Sequence, residues 1–202
     1  MCLYYAALLA KEGFRVRPFR SPELPVFSKL KDSDKQAAIA QVSTVLEVFE
    51  EVLAQDGSLK DSNKLVWRAL ARLGWVPSSD IFSHMKDGDI VCFHDAGQRM
   101  IFQTLTFFDW VSYTLEDLYG GLWYTHSKRE DAMAQKIYEF AVEVFTGVHQ
   151  ESVDPNLPEH VMHEVDTEEM LKFWIKIERA CPLKSDGQIT GMLVINRCRW
   201  VE

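Results

Sequence analysis

The stretch from Gly97 to Gly120, GQRMIFQTLTFFDWVSYTLEDLYG, most constrains the fold, because it changes from a strand pattern to a helical one over a short length of chain. Arg99–Gln103 has the alternation of a strand that returns from a hairpin turn at Ala96-Gly97. Leu105–Val111 is predicted to be a short helix rich in aromatic side chains, and a second helical turn ends at Gly120. The chain must therefore combine strands with short helices.

Before this stretch the pattern is helical. From Asp34 to Gln55 apolar residues recur at three- and four-residue steps, which predicts an amphipathic helix that Ser33 or Asp34 caps and that ends at Gly57. A second helix is predicted over Ser62–Leu73. We define residues 1–86 as an N-terminal helical region. Its apolar stripes could pack on the rest of the chain or pair with a second copy, and the pattern leaves both alternatives open.

After this stretch the order is a long helix and then strands. Asp131–Phe145 has one apolar stripe and is predicted to be an amphipathic helix. The predicted strands are Asp89–His94, Arg99–Gln103, His160–Val165, Leu171–Ala180 and Gln188–Asn196. Early strands, central helices and a closing antiparallel meander predict an α+β domain over residues 87–202, with a five-stranded antiparallel sheet and flanking helices.

Composition excludes several classes of protein. Hydrophobic residues make up 47% of the 202-residue chain, enough for a packed core. The formal net charge of −8 disfavours binding to nucleic acid. No secretory leader or membrane-spanning segment is recognised. The four cysteines, Cys2, Cys92, Cys181 and Cys198, lack zinc-ligand spacing, so we expect reduced thiols and a cytoplasmic location.

An ordered series of short motifs then points to a family. The motifs lie at Gly97–Gln103, Val111–Gly120, His126–Asp131, Phe173–Ile175 and Pro182–Gly191. In this order they resemble the G-x-[IV]-x-[YF]-x-N strand, the L-G-Y-[ST]-x-E-E-L-x-G turn, the H-P-x-D helix start and the closing strands of PAS sensory domains. The resemblance covers roughly Asp87 to Glu202.

Several matching residues have a physical role that can be predicted. Gly120 and Gly187 are expected to adopt positive φ angles, Asp117 suits the start of a helical turn, and the hydroxyl of Tyr113 is expected to reach a polar group. The departures from the family pattern are Gln103 for asparagine, Ser112 for glycine, and the ending Asn196–Glu202, which lacks the motif that couples many PAS domains to an output helix.

The resemblance implies a sensory module rather than an enzyme. Such a module binds a small ligand or a protein partner and relays the signal through protein contacts, here through a homodimer or a signalling partner. A ligand-free dimerisation protein with a packed core is the alternative, and a small metal-dependent enzyme is a third. The chain contains no GxSxG, HExxH, Walker or GxGxxG motif, so no catalytic residue is assigned.

An apolar pocket is predicted between the sheet and the long helix, although the same residues would also serve as a filled core. Its candidate lining is Phe107, Trp110, Trp123, Ile137, Phe140, Phe173 and Ile175. The cofactor is left unidentified: His126 and His149 are the nearest candidates for a haem ligand, and the flavin-binding cysteine motif is absent, so neither group is expected.

A Cys–His pair and a His–His pair are the candidate metal ligands. Cys92 and His94 are two residues apart on a predicted strand and share a face. His160 and His163 are three apart, a spacing that suits a helix better than the strand predicted there. Neither pair has third and fourth ligands in register, so no metal site is predicted.

Overall fold

The N-terminal region is helical, as its pattern predicts. The computed structural model describes residues 3–18 and 25–201, so Cys2 and the terminal Glu202 lie outside the described residues. The helices of this region are α1 (Leu3–Lys11), α2 (Pro25–Ser28), α3 (Asp32–Asp56), α4 (Ser62–Leu73) and α5 (Ile81–His84).

The ends of α3 and α4 follow local rules. Both helices stop at a glycine in the left-handed conformation, Gly57 at φ 72° and Gly74 at φ 66°. The Asp61 side chain caps α4 by accepting from the Lys64 amide at 3.1 Å. The predicted cap of α3 is wrong: the helix starts at Asp32 without a side-chain cap, and Asp34 pairs instead with Arg99 at 3.0 Å.

The sheet has six strands rather than the predicted five, in the order β2-β1-β6-β5-β4-β3. They are β1 (Ile90–Asp95), β2 (Met100–Gln103), β3 (Ser127–Lys128), β4 (His160–Glu164), β5 (Lys172–Ser185) and β6 (Gln188–Trp200), all paired antiparallel. The additional strand β3 has two residues, too few for an alternating pattern to reveal. β5 and β6 also extend beyond their predicted ends, to a two-residue turn at Asp186-Gly187.

Three register shifts among the described strands decide which side chains face which side of the sheet. One lies between Phe93 and His94, so that Phe93 pairs with Phe102 whereas His94 pairs with Met100. The other two lie on β5, between Ile177 and Arg179 and between Leu183 and Lys184. Because side chains alternate along a strand, each extra residue moves the following side chains to the opposite face.

Helices of the N-terminal region cover one face of this sheet. The Trp75 ring, just after α4, lies 6.4 Å from that of Phe93, and the Ser78 amide donates to the Cys181 sulfur at 3.2 Å. The inner sides of α3 and α4 belong to the same buried cluster as the sheet residues. Buried apolar residues of α3 and α4 therefore pack within the chain.

The opposite face is covered by short helices and one long helix. After β2 come a 3₁₀ turn (Leu105–Asp109), α6 (Leu115–Tyr119), α7 (Trp123–His126) and then α8 (Asp131–Phe145). A capping box between Thr114 and Asp117 starts α6. The second Asp117 oxygen accepts from the Phe27 amide at 3.0 Å, so α6 is also joined to the N-terminal region.

The two predicted positive-φ glycines differ. Gly187 has φ 78°, as its place in the β5–β6 turn requires. The prediction for Gly120 is wrong, since its φ is −80°. Glycine is needed there because a Cβ would lie 2.3 Å from Leu30 Cδ1, where the N-terminal region contacts α6.

No described helix is long and apolar enough to cross a membrane.

Candidate functional site: a cavity between the sheet and helix α8

A cavity of about 80 Å³ lies between the sheet and α8, with α6 and α7 at one end. That volume is several times what one water molecule needs. Strand residues of its lining are Cys92, His94, Met100, Met162, Ile175, Ile177, Met192, Val194 and Asn196. The helices, the 3₁₀ turn and the loops between elements contribute Phe107, Tyr113, Leu118, Trp123, His126, Ser127, Arg129, Ile137, Phe140 and Ala141. The wall is mainly apolar, with a few polar groups.

The structure brings five of the seven predicted pocket residues to this cavity and places two elsewhere. Those at the cavity are Phe107, Trp123, Ile137, Phe140 and Ile175. Phe173 is fully buried near the start of β5, and the Trp110 ring lies 6.1 Å from its ring. Trp110 also packs on Trp200 at 4.9 Å, so these two residues fill the core beside the cavity.

Arg129 is the cationic residue of the lining. It follows β3 and precedes α8, which directs its side chain under the start of the helix. Its Nη1 donates to Ser127 Oγ at 2.7 Å and its Nε to His160 Nε2 at 3.2 Å, while Nη2 lies 2.9 Å from Met162 Sδ. The guanidinium also lies 5.1 Å from the centre of the Trp123 ring. Burial lowers the pKa of Arg129 to about 10, so it stays charged at neutral pH.

The ionisable groups of β1 at the cavity are neutral at pH 7. Burial lowers the pKa of His94 to about 4, and the nearby Arg129 charge lowers it further. Burial raises the pKa of the Cys92 thiol to about 12. His94 is 8% exposed, and its Nδ1 has no hydrogen-bond partner among the described residues. An unpaired polar atom at this depth is unusual and has an energetic cost.

His126 closes the end of the cavity beside α6. It is 3% exposed, and burial lowers its pKa to about 4. Its ring lies 5.9 Å from that of Tyr113 and against Gly121, where a Cβ would lie 2.7 Å from the ring. His149, the other histidine considered for haem, lies away from the cavity and contacts Glu143 at 3.1 Å.

Polar contacts hold the cavity wall to the edge of the sheet. The Tyr113 hydroxyl accepts from the Val165 amide at 2.9 Å and donates to the His126 carbonyl, which confirms that it reaches polar groups. The buried Glu164 carboxylate accepts from the amide and hydroxyl of Ser112, the latter at 2.8 Å, and from the Leu171 amide at 3.0 Å. Ser112, a departure from the family pattern, thus supplies a hydrogen bond that glycine lacks.

Within residues 3–18 and 25–201 no group of three or more His, Cys, Asp or Glu side chains is placed to hold a metal ion, around either candidate pair or elsewhere. Cys92 and His94 share the cavity face of β1. His160 is buried next to Arg129, and His163 is only partly buried on the same strand. Their odd spacing puts them on opposite faces.

Sequence reasoning missed the polar part of the lining, above all Arg129 and Ser127. Arg129 lies in the charged run Lys128–Asp131, which is typical of an exposed helix start. The signal that would identify it is strand β3, because the Ser127–Glu164 and Lys128–His163 pairing brings this run against β4. A strand of two residues leaves no such signal in the sequence.

Comparisons with known proteins give little beyond this geometry. No protein-family model matches the chain, and no curated protein matches it. Among solved structures it is similar to the domain of a protein described as a light and redox sensing histidine kinase from Haloarcula marismortui. The two are 14% identical, the match covers 59% of this chain and 94% of that one, and the TM-score is 0.37. Values this low carry no argument about function.

The order of the elements along the chain can be compared with the sequence motifs without reference to any other structure. A hairpin (β1–β2), several short helices, a long helix (α8) and a three-stranded meander (β4–β6) follow one another along the chain. This is the order that the sequence motifs imply, so the chain resembles a PAS-type sensor domain. It differs by the added edge strand β3 and by the helical layer on the second face.

Proposed function

We propose that this protein is a PAS-type sensory module whose cavity binds a small ligand and whose state of occupancy is relayed through contacts with other proteins. The observation that carries the proposal is a cavity with polar groups inside an otherwise apolar wall. Ligand sites in proteins are built this way, with a few polar groups that orient the ligand. A filled core would leave no such space.

The contacts of α3 supply a route for the relay. Met100 on β2 and Leu118 on α6 both line the cavity. Gln41 on α3 donates to the Ile101 carbonyl of β2 at 2.6 Å, and α3 also packs along α6. A ligand that moves either wall therefore acts on the longest helix of the N-terminal region, which in turn offers an outer surface to a partner.

The proposal assigns no catalytic step and places the protein in the cytoplasm, with a homodimer or a signalling protein as its partner. The rival is a dimerisation protein with a closed core. Both share the fold, and they differ in whether a small molecule occupies the space beneath α8. The decisive measurement is therefore of bound mass.

Native and denaturing mass spectrometry of the purified chain make that measurement. We expect added mass in the native spectrum that is absent after denaturation. Ala141→Phe puts a ring into the cavity from α8, where Ala141 is 1% exposed, and we expect the added mass to disappear. Ala132→Phe, at an exposed position of the same helix, is the matched control and should retain it.

Circular dichroism of both variants serves as the check on folding, so that loss of ligand is not confused with unfolding. A wild-type protein that carries no added mass, and that gains none when offered acidic, neutral and aromatic small molecules, would reject the sensor proposal in favour of the dimerisation protein. Size-exclusion chromatography of the same samples then measures the oligomeric state.

A further inference from the structure

Arg129 is a half-buried cation without a carboxylate partner among the described residues. Its hydrogen bonds, all to described residues, are to a hydroxyl, an imidazole nitrogen and a thioether sulfur. The thioether is a weak acceptor, and none of the three carries a negative charge. Removing an arginine from water costs several kcal/mol unless an opposite charge compensates it. The protein therefore holds a positive charge at the cavity that its own described side chains leave unneutralised.

The surrounding groups cannot supply the missing charge by ionising. Cys92 and Cys198 lie near enough for their charges to act on Arg129, but burial raises the pKa of both thiols far above neutrality. His160, which accepts from Arg129, has its pKa lowered by burial. Glu159, the acid next to His160 in sequence, is already paired with Arg199 at 2.6 Å.

The rest of the cavity suits a hydrocarbon group. Ile137, Phe140 and Ala141 of α8 and Ile175 and Ile177 of β5 line the same cavity as Arg129. Phe107 lies in the same apolar wall. A ligand with an anionic head and a short apolar body would place each part against a matching surface.

We propose that the cavity binds a small apolar monocarboxylate, with its carboxylate on Arg129 and its apolar part under α8. This inference rests on the proposed sensory function, and it adds the chemical class of the ligand. The planar guanidinium can donate two parallel hydrogen bonds to a carboxylate, and the unpaired Nδ1 of His94 offers a further polar contact at the same cavity.

A single charge fits better than a phosphate dianion. Among the described residues of the lining Arg129 is the one cation, because His94 and His126 are neutral at pH 7. A dianion would bring a second charge into the cavity with nothing to balance it. Acids with long chains are excluded by the volume of about 80 Å³.

Isothermal titration calorimetry of the full chain with propanoate and with propanamide tests the charge. The two probes have nearly the same shape and differ in the charge of the head group. We expect propanoate to bind at least about tenfold more tightly. Arg129→Met should remove this preference, Arg129→Lys should retain part of it, and Arg179→Gln, outside the lining, should leave it unchanged.

A thermal melt of the ligand-free Arg129→Met variant tells a ligand-binding arginine from a structural one, because the two roles predict Tm changes in opposite directions. Replacing a half-buried cation that lacks a carboxylate partner by an apolar side chain is expected to raise the Tm, while removing a purely structural arginine would lower it. The carboxylate assignment and the sensor proposal can fail separately. Equal binding of both probes, or an unchanged preference in Arg129→Met, overturns the carboxylate assignment and leaves a ligand cavity. Failure of the acid, the amide and neutral aromatic probes together overturns both.

Discussion

His94 and His126 are kept neutral by burial on either side of the cavity. Each has a pKa of about 4 in the folded protein, against an ordinary value of 6.5. The unfolded chain therefore binds more protons than the folded one between these two values. The two histidines therefore make the free energy of unfolding fall as the pH falls from about 6.5 toward 4. Above pH 6.5 their contribution to it is nearly constant.

We predict that His94→Gln reduces this loss of stability. A single group contributes at most about 1.4 kcal/mol per pH unit, so between pH 6.5 and 5 the variant should lose about 1–2 kcal/mol less than the wild type. Urea unfolding at pH 7.5, 6.5 and 5 measures the difference. Asp80, whose pKa of about 2 is set mainly by its hydrogen bond to Ser152, changes protonation below this window and does not interfere.

The control for this prediction is His84→Gln, at a histidine whose side chain is 33% exposed and that contacts Asp80 at 3.3 Å. The two variants should differ from each other in the slope of stability against pH. Identical slopes for His94→Gln, His84→Gln and the wild type would show that His94 takes up its proton equally in the folded and unfolded states.

At the scale of elements, the β5–β6 hairpin and the turn after α4 depend on a glycine. A Cβ at Gly191 would lie 2.6 Å from Cζ3 of Trp75, whose ring packs against Phe93 on the sheet. Val76 then pairs with Lys184 through two backbone hydrogen bonds of 2.8 and 2.9 Å. The hairpin is thus fixed against the helical layer by close packing at Gly191 and by backbone pairing.

We predict that Gly191→Ala destabilises the protein by about 1–3 kcal/mol, the range typical of overpacking. The reason is steric, so shortening the opposing side chain should relieve it. In the double variant Gly191→Ala with Trp75→Leu, the alanine should cost clearly less than it does in the wild type. Chemical denaturation of all four proteins gives the coupling energy, and strictly additive effects would show that the two positions do not compete for space.

The sequence predicts long elements well and short ones poorly. The helices α3, α4 and α8 and the strands of the meander follow from apolar periodicity over many residues. β3 and the bulges have no such signal, because each involves only one or two residues and is decided by pairing between strands. The bulge opposite Phe93 and His94 places Met100 in the cavity wall, so part of the candidate site depends on a feature that is hard to predict.

For the same reason the apolar part of the site was accessible to sequence reasoning and the polar part was not. Ile137 and Phe140 lie on the predicted stripe of α8. The partial burial of Arg129 results from β3 meeting β4 at the sheet edge, a contact between residues far apart in the chain. Trp110 and Phe173 were predicted to line the pocket and lie beside it instead, because aromatic character alone does not distinguish a cavity wall from the filled core next to it.

For the whole molecule, the helical region and the sheet share one core. Residues of α3 and α4 such as Phe49 and Leu70 belong to the same buried cluster as Phe93, Phe102 and Ile195 of the sheet. The boundary between residues 86 and 87 therefore separates two patterns in the sequence, and the packing crosses it. A sheet left without this layer would expose a continuous apolar face to water.

We predict that residues 87–202, produced alone, do not unfold cooperatively on heating and lose the near-ultraviolet circular dichroism of the full chain. The matched control is the full chain cut by a protease at a site inserted beside the exposed Asp87, with both pieces kept in solution. This nicked protein keeps every layer and should retain the signal and a cooperative transition. A fragment 87–202 that melts as sharply as the nicked protein would mean that the sheet and α8 form a self-sufficient domain. The contacts of α3 with the cavity wall would then be a docking interface rather than part of a common core.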